Sequence, residues 1–206
     1  MKRYLFLMMF ISVNALGYGE NIYLEVYGGS TQFETQNIEG DVEAFTGVET
    51  GGMLGGRLNQ WLSLEVGFSI VKFSQWEDST EYASDDEVII TMQRSLSNLQ
   101  YGARFHLGPY FTIKAGAITS QANFNIEAEG TGTESNAVAT IYNELEDQYS
   151  GSGTYLGMGV NYNLGRYNFF ADLTYRGIKF SNDDDYGGND SHIQRGIEIG
   201  LRMSLN

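Results

Sequence analysis

Ile197-Glu198-Ile199-Gly200-Leu201-Arg202-Met203-Ser204-Leu205 alternates without a fault. Side chains of an extended chain point to opposite sides in turn, so Ile197, Ile199, Leu201, Met203 and Leu205 share one face. Glu198, Gly200, Arg202 and Ser204 share the other. A period of two over this length specifies a strand rather than a helix, and the two faces demand two different environments.

The same pattern recurs seven times upstream. Polar or small residues interleave with apolar ones at Tyr23, Glu25, Tyr27 and Gly29; at Glu49, Gly51, Met53, Gly55 and Arg57; and at Ser63, Glu65, Gly67 and Ser69. It returns at Gln100, Gly102, Arg104 and His106, then at Thr112, Lys114 and Gly116. Tyr155, Gly157, Gly159 and Asn161 follow, and then Phe170, Asp172, Thr174 and Arg176. Parity fails once: Ile90, Met92 and Leu96 are out of phase with Leu99, which predicts a bulge or a strand that has left the apolar layer. Tight turns are expected at Asn59-Gln60, Gly108-Pro109 and Gly165-Arg166. Long loops are expected at 32–47, 75–88, 122–152 and 181–192. Eight strands with short turns at one end and long loops at the other predict an all-β, eight-stranded antiparallel up-and-down barrel.

Composition agrees. The chain has 206 residues, 26 glycines, one proline and no cysteine, with a formal charge of −14. Without cysteine there is no disulfide, thiolate metal site or cysteine nucleophile. Twelve basic residues against 26 acidic ones exclude a nucleic-acid partner, which needs a basic patch. Lys2 and Arg3 precede an apolar run from Tyr4 to Val13 and then small residues at Ala15, Gly17 and Gly19. This is the pattern of a cleaved secretory signal over 1–19, too short to span a bilayer as a helix, leaving 20–206 as the barrel domain.

An eight-stranded barrel with one apolar face turns it either inward around a ligand or outward to lipid. Three features favour lipid. The polar face is rich in glycine, which suits a cramped interior. Its charges nearly balance, with Glu25, Glu49, Glu65, Asp172 and Glu198 against Arg57, Arg104, Lys114, Arg176 and Arg202, as burial requires. Trp61, Phe105, Tyr110, Phe111, Tyr162, Tyr167 and Phe169 gather beside the tight turns as an interfacial girdle would. A transmembrane barrel closed by interior ion pairs is therefore expected.

Several patches carry a family likeness. Gly55-Gly56-Arg57-Leu58-Asn59-Gln60-Trp61-Leu62-Ser63-Leu64-Glu65-Val66-Gly67-Phe68 resembles the second hairpin of outer-membrane-protein-A-type barrels. Gly102-Ala103-Arg104-Phe105, Gly108-Pro109-Tyr110 and Lys114-Ala115-Gly116 resemble the same family. The layout matches over all eight segments, the residues only in these patches. The resemblance implies a small barrel of the Gram-negative outer membrane, in contact with its lipid and lipopolysaccharide. The sequence ends Met203-Ser204-Leu205-Asn206 where the family's barrels usually end on an aromatic residue, and no peptidoglycan-binding domain is expected after the eighth strand.

Twenty of the 26 carboxylates fall in the four long connections, where no lysine or arginine occurs. Runs such as Asp85-Asp86-Glu87 and Asp183-Asp184-Asp185 offer oxygen ligands for divalent cations beside lipopolysaccharide phosphates, but neither has the spacing of a calcium loop, and no metal or cofactor site is assigned. Solvated loops kept apart by their charge are the simpler account. Catalysis finds little to use. His106 lies at the tight-turn end, whereas His192 lies at the loop end beside Ser191 and Asp190, and neighbours on a strand face opposite ways. The expected role is non-enzymatic: a monomer, plugged by its ion pairs, whose acidic surface loops serve envelope integrity or adhesion to an unidentified surface partner. The segment 122–152, with Val138, Ile141, Tyr142 and Leu145, is the candidate contact element. A narrow channel for small solutes is the alternative, and a lipid A-modifying enzyme the third reading.

Overall fold

The computed structural model describes residues 22–36, 42–74, 76–83, 86–131, 135, 139–140, 147–165, 167–181 and 191–205. The expected signal segment lies outside them. Nine strands follow one another: β1 (Ile22–Gln36), β2 (Val42–Asn59), β3 (Leu62–Phe73), β4 (Trp76–Ala83), β5 (Asp86–Leu107), β6 (Phe111–Gly130), β7 (Asp147–Leu164), β8 (Tyr167–Ser181) and β9 (Ser191–Ser204). Every pairing is antiparallel. β1 joins β9 from Tyr23↔Ser204 to Glu34↔Ile193, and β3 joins β5 from Leu62↔Phe105 to Lys72↔Ser95. β4 continues the line of β3 along the same partner, from Trp76↔Met92 to Ala83↔Asp86. The nine strands therefore make eight staves of a closed barrel, with no unpaired edge around the closed ring, although β4 above it pairs only with β5.

The face given to lipid is the apolar one. Val26, Phe68, Leu156, Leu173 and Ile199 all project outward, Ile199 with 64 % of its surface exposed. Trp61, Phe105, Tyr110, Phe111, Tyr162, Tyr167 and Phe169 are exposed on the same face next to the short turns. Trp61 stacks on Phe105 with ring centroids 6.4 Å apart. Two of those turns use a glycine in the left-handed region, Gly108 (φ 75°) and Gly165 (φ 68°), where a Cβ would strain the backbone. At the third, Asn59 Oδ1 accepts from the backbone N–H groups of Trp61 and Leu62.

Three sequence expectations change. No bulge interrupts β5: its pairing with β6 runs in unbroken register from Val88↔Gly130 to Leu107↔Phe111. Leu96 breaks parity because the inner face itself becomes apolar at that height, where Leu96 is buried. The register shifts instead between Arg57 and Asn59 in β2 and between Glu81 and Ala83 in β4. The supposed loops are largely strand. Gln36 pairs with Val42, β4 and β5 occupy most of 75–88, and β6 and β7 extend well into 122–152. Their β-branched and aromatic residues, such as the facing pair Phe33↔Phe45, keep the ladder going above the lipid belt.

Inside, large rings lie over glycines on the neighbouring strand. Tyr23 faces Gly55, Tyr27 faces Gly51, Tyr155 faces Gly116 and Phe170 faces Gly200. A Cβ on Gly51 would sit 2.6 Å from Cζ of Tyr27, and one on Gly116 2.7 Å from Cε1 of Tyr155. The interior glycines are thus seats for aromatic rings. Replacing Gly51 with valine should destabilise the barrel by about 1–3 kcal/mol, the usual cost of overpacking. Urea titration of protein folded in detergent would measure it, and an unchanged midpoint would show that the seat is not needed.

Candidate functional site: the sealed lumen

The lumen is layered along the barrel axis, because each stave contributes one inward side chain every second residue. The layer nearest the short turns holds one ion-pair group. Arg104 Nη2 lies 2.6 Å from Glu25 Oε2, and Arg104 Nε 2.6 Å from Glu65 Oε1. Arg202 Nε holds the other oxygen of Glu25. Tyr23 donates its hydroxyl to Glu65 Oε1 at 2.5 Å. The next layer holds a second group. Lys114 Nζ bridges Asp172 Oδ2 (2.5 Å) and Glu198 Oε2 (3.2 Å). Arg176 bridges Glu198 Oε1 (2.5 Å) and Glu49 Oε2 (2.7 Å).

Phe170 stands between the two groups. Its ring centroid is 5.9 Å from Arg104 Cζ, 5.8 Å from Lys114 Nζ and 5.7 Å from Arg202 Cζ. The negative face of the ring gives these cations a partner that costs no further carboxylate. Arg104 and Arg176 are fully buried, and so is Glu25. Ions withdrawn this far from water are tolerable only because each has an opposite charge in contact.

Nine of the ten residues expected to line a charged interior are brought together: Glu25, Glu49, Glu65, Arg104, Lys114, Asp172, Arg176, Glu198 and Arg202. Arg57 is not. Beside the register shift it is half-buried at the short-turn rim, donating from Nη2 to the Gln60 carbonyl at 3.1 Å. A bulge re-aims the side chain next to it, and this one turns Arg57 to the mouth. The network therefore joins five carboxylates to four cations, not five to five.

Above the ions comes a neutral layer. Asn98 Nδ2 donates to Ser69 Oγ (3.3 Å), Ser120 Oγ donates to Asn98 Oδ1 (2.7 Å), and Gln194 Nε2 donates to Thr31 Oγ1 (3.0 Å). Then comes an apolar layer that sequence reading missed: Val71, Phe73, Leu96, Ile118, Ala122, Ile178 and Phe180, with Phe33, Phe45 and Tyr149 packed against it. Its signal was present, since Val71 and Leu96 put apolar residues on the inner parity. His192 sits at its edge, stacked on Phe33 at 5.1 Å and edge-on to Phe180 at 5.2 Å. Asp190 and the side chain of Ser191 lie outside the described residues. At the other end His106 Nε2 meets Ser63 Oγ at 2.8 Å, and among the described residues no carboxylate ion-pairs with that histidine. Val138, Ile141, Tyr142 and Leu145 also fall outside the described residues, as do Asp85 and the 183–185 run. Ala139 packs with Val88 and Ala128 in a small cluster on the β5–β6 extension. Among the described residues no group of acids and histidines has the geometry to hold a metal ion.

A lipid-facing belt around a charged, closed lumen is the build of an outer-membrane barrel, and comparison with known proteins agrees. The family model described as "Outer membrane protein beta-barrel domain" matches residues 4–198. The chain belongs to that family. Its place is accordingly the bacterial outer membrane. Solved structures to which the chain is similar include Ail, the attachment invasion locus protein of Yersinia pestis, at 13 % identity and TM-score 0.49, covering 89 % of this chain and 99 % of that one. Neisserial surface protein A shows 14 % identity and TM-score 0.44 over 88 % and 97 %. OprG of Pseudomonas aeruginosa shows 10 % and 0.42 over 93 % and 99 %. No curated protein matches the sequence.

Glu198 is the one carboxylate that spans Lys114 and Arg176, so Glu198→Gln should cost about 3–5 kcal/mol, as breaking a buried pair does. Arg57→Gln, outside the network, should change stability by roughly 0.5 kcal/mol or less. Paired urea titrations would decide; equal losses would mean that Arg57 shares the network after all.

Proposed function

We propose that this protein is a plugged, non-enzymatic barrel that acts through its outer wall and its acidic hairpin tips rather than by conducting solute. The observation that carries this reading is the pair of seals in series: an ion-pair network and, above it, a dry apolar layer. A solute path would have to part both, and an eight-stranded barrel leaves no width for an open channel past its own side chains. The narrow-channel reading therefore asks for two rearrangements, and the plugged reading for none.

The outer wall supports a role at the lipopolysaccharide leaflet. The outward cations of the described strands are Lys72, Lys179 and Arg195, all exposed and all toward the hairpin end. Lys72 lies ten residues up β3 from Leu62, roughly 25 Å along the axis of a tilted strand, which is the height of a lipid belt. Cations at that level meet headgroup phosphates, each worth about 1 kcal/mol near an anionic surface. Arg195 also pairs with Glu34 at 3.2 Å, tying the cations to the acids of the extensions. Glu127 and Glu129 are exposed above them and repel anionic partners, or share divalent cations with the phosphates. This arrangement serves envelope integrity directly, with surface adhesion left to the hairpin tips.

Two measurements test the reading. Reconstituted in a planar bilayer, the protein should give no single-channel steps, and persistent steps with solute selectivity would replace this function with a pore. Lipopolysaccharide added to detergent-folded protein should raise Tm, and the K72E/K179E variant should lose roughly half of that gain. An undiminished gain would remove the outer wall from the proposal.

A further inference from the structure

The short-turn end of the lumen is not filled. Below the first ion-pair layer lies a cavity of about 550 Å³, open at the mouth, within the size range of small-molecule sites. Staves β1, β2, β5, β7, β8 and β9 all contribute to its lining, so it exists only in the closed barrel. We propose that this cavity binds a small anionic sugar, either a sugar acid or a sugar phosphate.

The argument rests on the polar atoms that the protein leaves unmatched there. Arg57 Nε and Arg202 Nη2 are buried donors with no hydrogen-bond partner among the described residues. Arg202 is only 7 % exposed, and Glu25 holds its Nε from the lumen side. Arg57 has no carboxylate within ion-pair distance among the described residues, and its Nη2 is tied to the Gln60 carbonyl. Two guanidinium groups fixed in this way call for an anionic oxygen. Asn161 Oδ1 and Asn168 Oδ1 line the same cavity and are unmatched acceptors, which call for hydroxyl or amide donors. An inorganic anion would satisfy the arginines and leave the asparagines and most of the volume unused. A neutral sugar could meet the guanidinium donors only with hydroxyl or carbonyl oxygens, forgoing charge-assisted hydrogen bonds that are roughly twice as strong. A hydroxylated body bearing one anionic group satisfies both sets. Trp61, whose ring stacks on Phe105 on the outer face, borders the cavity and serves as a local reporter. Among the described residues no carboxylate orients the Ser63–His106 pair beside it, and the site is read as a binding one. The mouth lies at the short-turn end, which in outer-membrane barrels faces the periplasm.

The full chain folded in detergent tests this by calorimetry, with Trp61 fluorescence read in a Trp76→Phe background that leaves one tryptophan. The probes are N-acetylmuramic acid, glucose 6-phosphate, neutral N-acetylglucosamine and inorganic phosphate. At least one sugar anion should bind saturably and shift Trp61 emission, and N-acetylglucosamine should not; which anion binds names the acid or the phosphate as the group recognised. Arg57→Gln should weaken that binding roughly tenfold or more while heat-modifiable migration stays intact. Asn168→Leu should weaken the sugar anion and leave inorganic phosphate unaffected. Three results would each overturn the site: no saturation up to roughly 10 mM, equal binding of the neutral sugar, or an unchanged Arg57→Gln affinity.

Discussion

Charge buried away from both water and lipid is the constraint on which the rest of this barrel depends. A carboxylate or guanidinium in such a place costs several kcal/mol unless an opposite charge touches it. Here the contacts come from seven different staves: Glu25 from β1, Glu49 from β2, Glu65 from β3, Arg104 from β5, Lys114 from β6, Asp172 and Arg176 from β8, and Glu198 and Arg202 from β9. Slipping any one strand by a single residue would turn its ion toward lipid and leave its partners alone in the lumen. The network therefore fixes register around nearly the whole circumference. Hydrogen bonds between strands could not do this, since a slipped ladder satisfies them equally well.

The other interior features follow from making room for those contacts. Long ionic side chains from opposite walls meet only where the space between them is not taken by other side chains, and the ring-over-glycine pairs fill the remaining wall without bulk on the facing strand. Phe170 shows the economy of the arrangement. One ring stands beside three cations of two separate groups, and its seat at Gly200 lets it reach that position. The neutral Ser69–Asn98–Ser120 contacts then step the lumen down from ionic to apolar, so that Val71 and Ile118 do not abut bare charge.

Strand number, orientation and the charged positions were legible in the sequence because all three are carried by parity. Glu198 and Arg202 among aliphatic neighbours admit few other readings. What parity could not carry is where a stave leaves the membrane. Leu96 looks like an error in an alternating pattern, and it is instead the point at which the inner face becomes apolar while the outer face, at Ser95 and Ser97, leaves the apolar belt. The hairpin extensions were hidden for a related reason: their acids read as loop, although the backbone pairing of Gln36 with Val42 needs no apolar face. Arg57 could not be placed from spacing at all. Its inward parity is correct, but the register shift beside it is a property of the turn geometry, and that shift separates a fifth network cation from a rim cation.

That displacement gives the barrel an electrostatic axis. Acids crowd the hairpin end, outward cations lie just below them, and the lumen network carries one more carboxylate than cation. Arg57 stands at the opposite mouth with no carboxylate partner among the described residues. Arg202 connects the two regions, with Nε committed to Glu25 inside and Nη2 unmatched where it lines the mouth. An anion arriving at the mouth would meet a guanidinium already oriented by the network, so little ordering remains to be done at the moment of contact. The same network prevents that anion from going further, because beyond Arg202 the next groups along the axis are carboxylates in contact with their own cations. The buried ion pairs thus set the register of the wall, seal the lumen, and hold one guanidinium ready at the short-turn mouth.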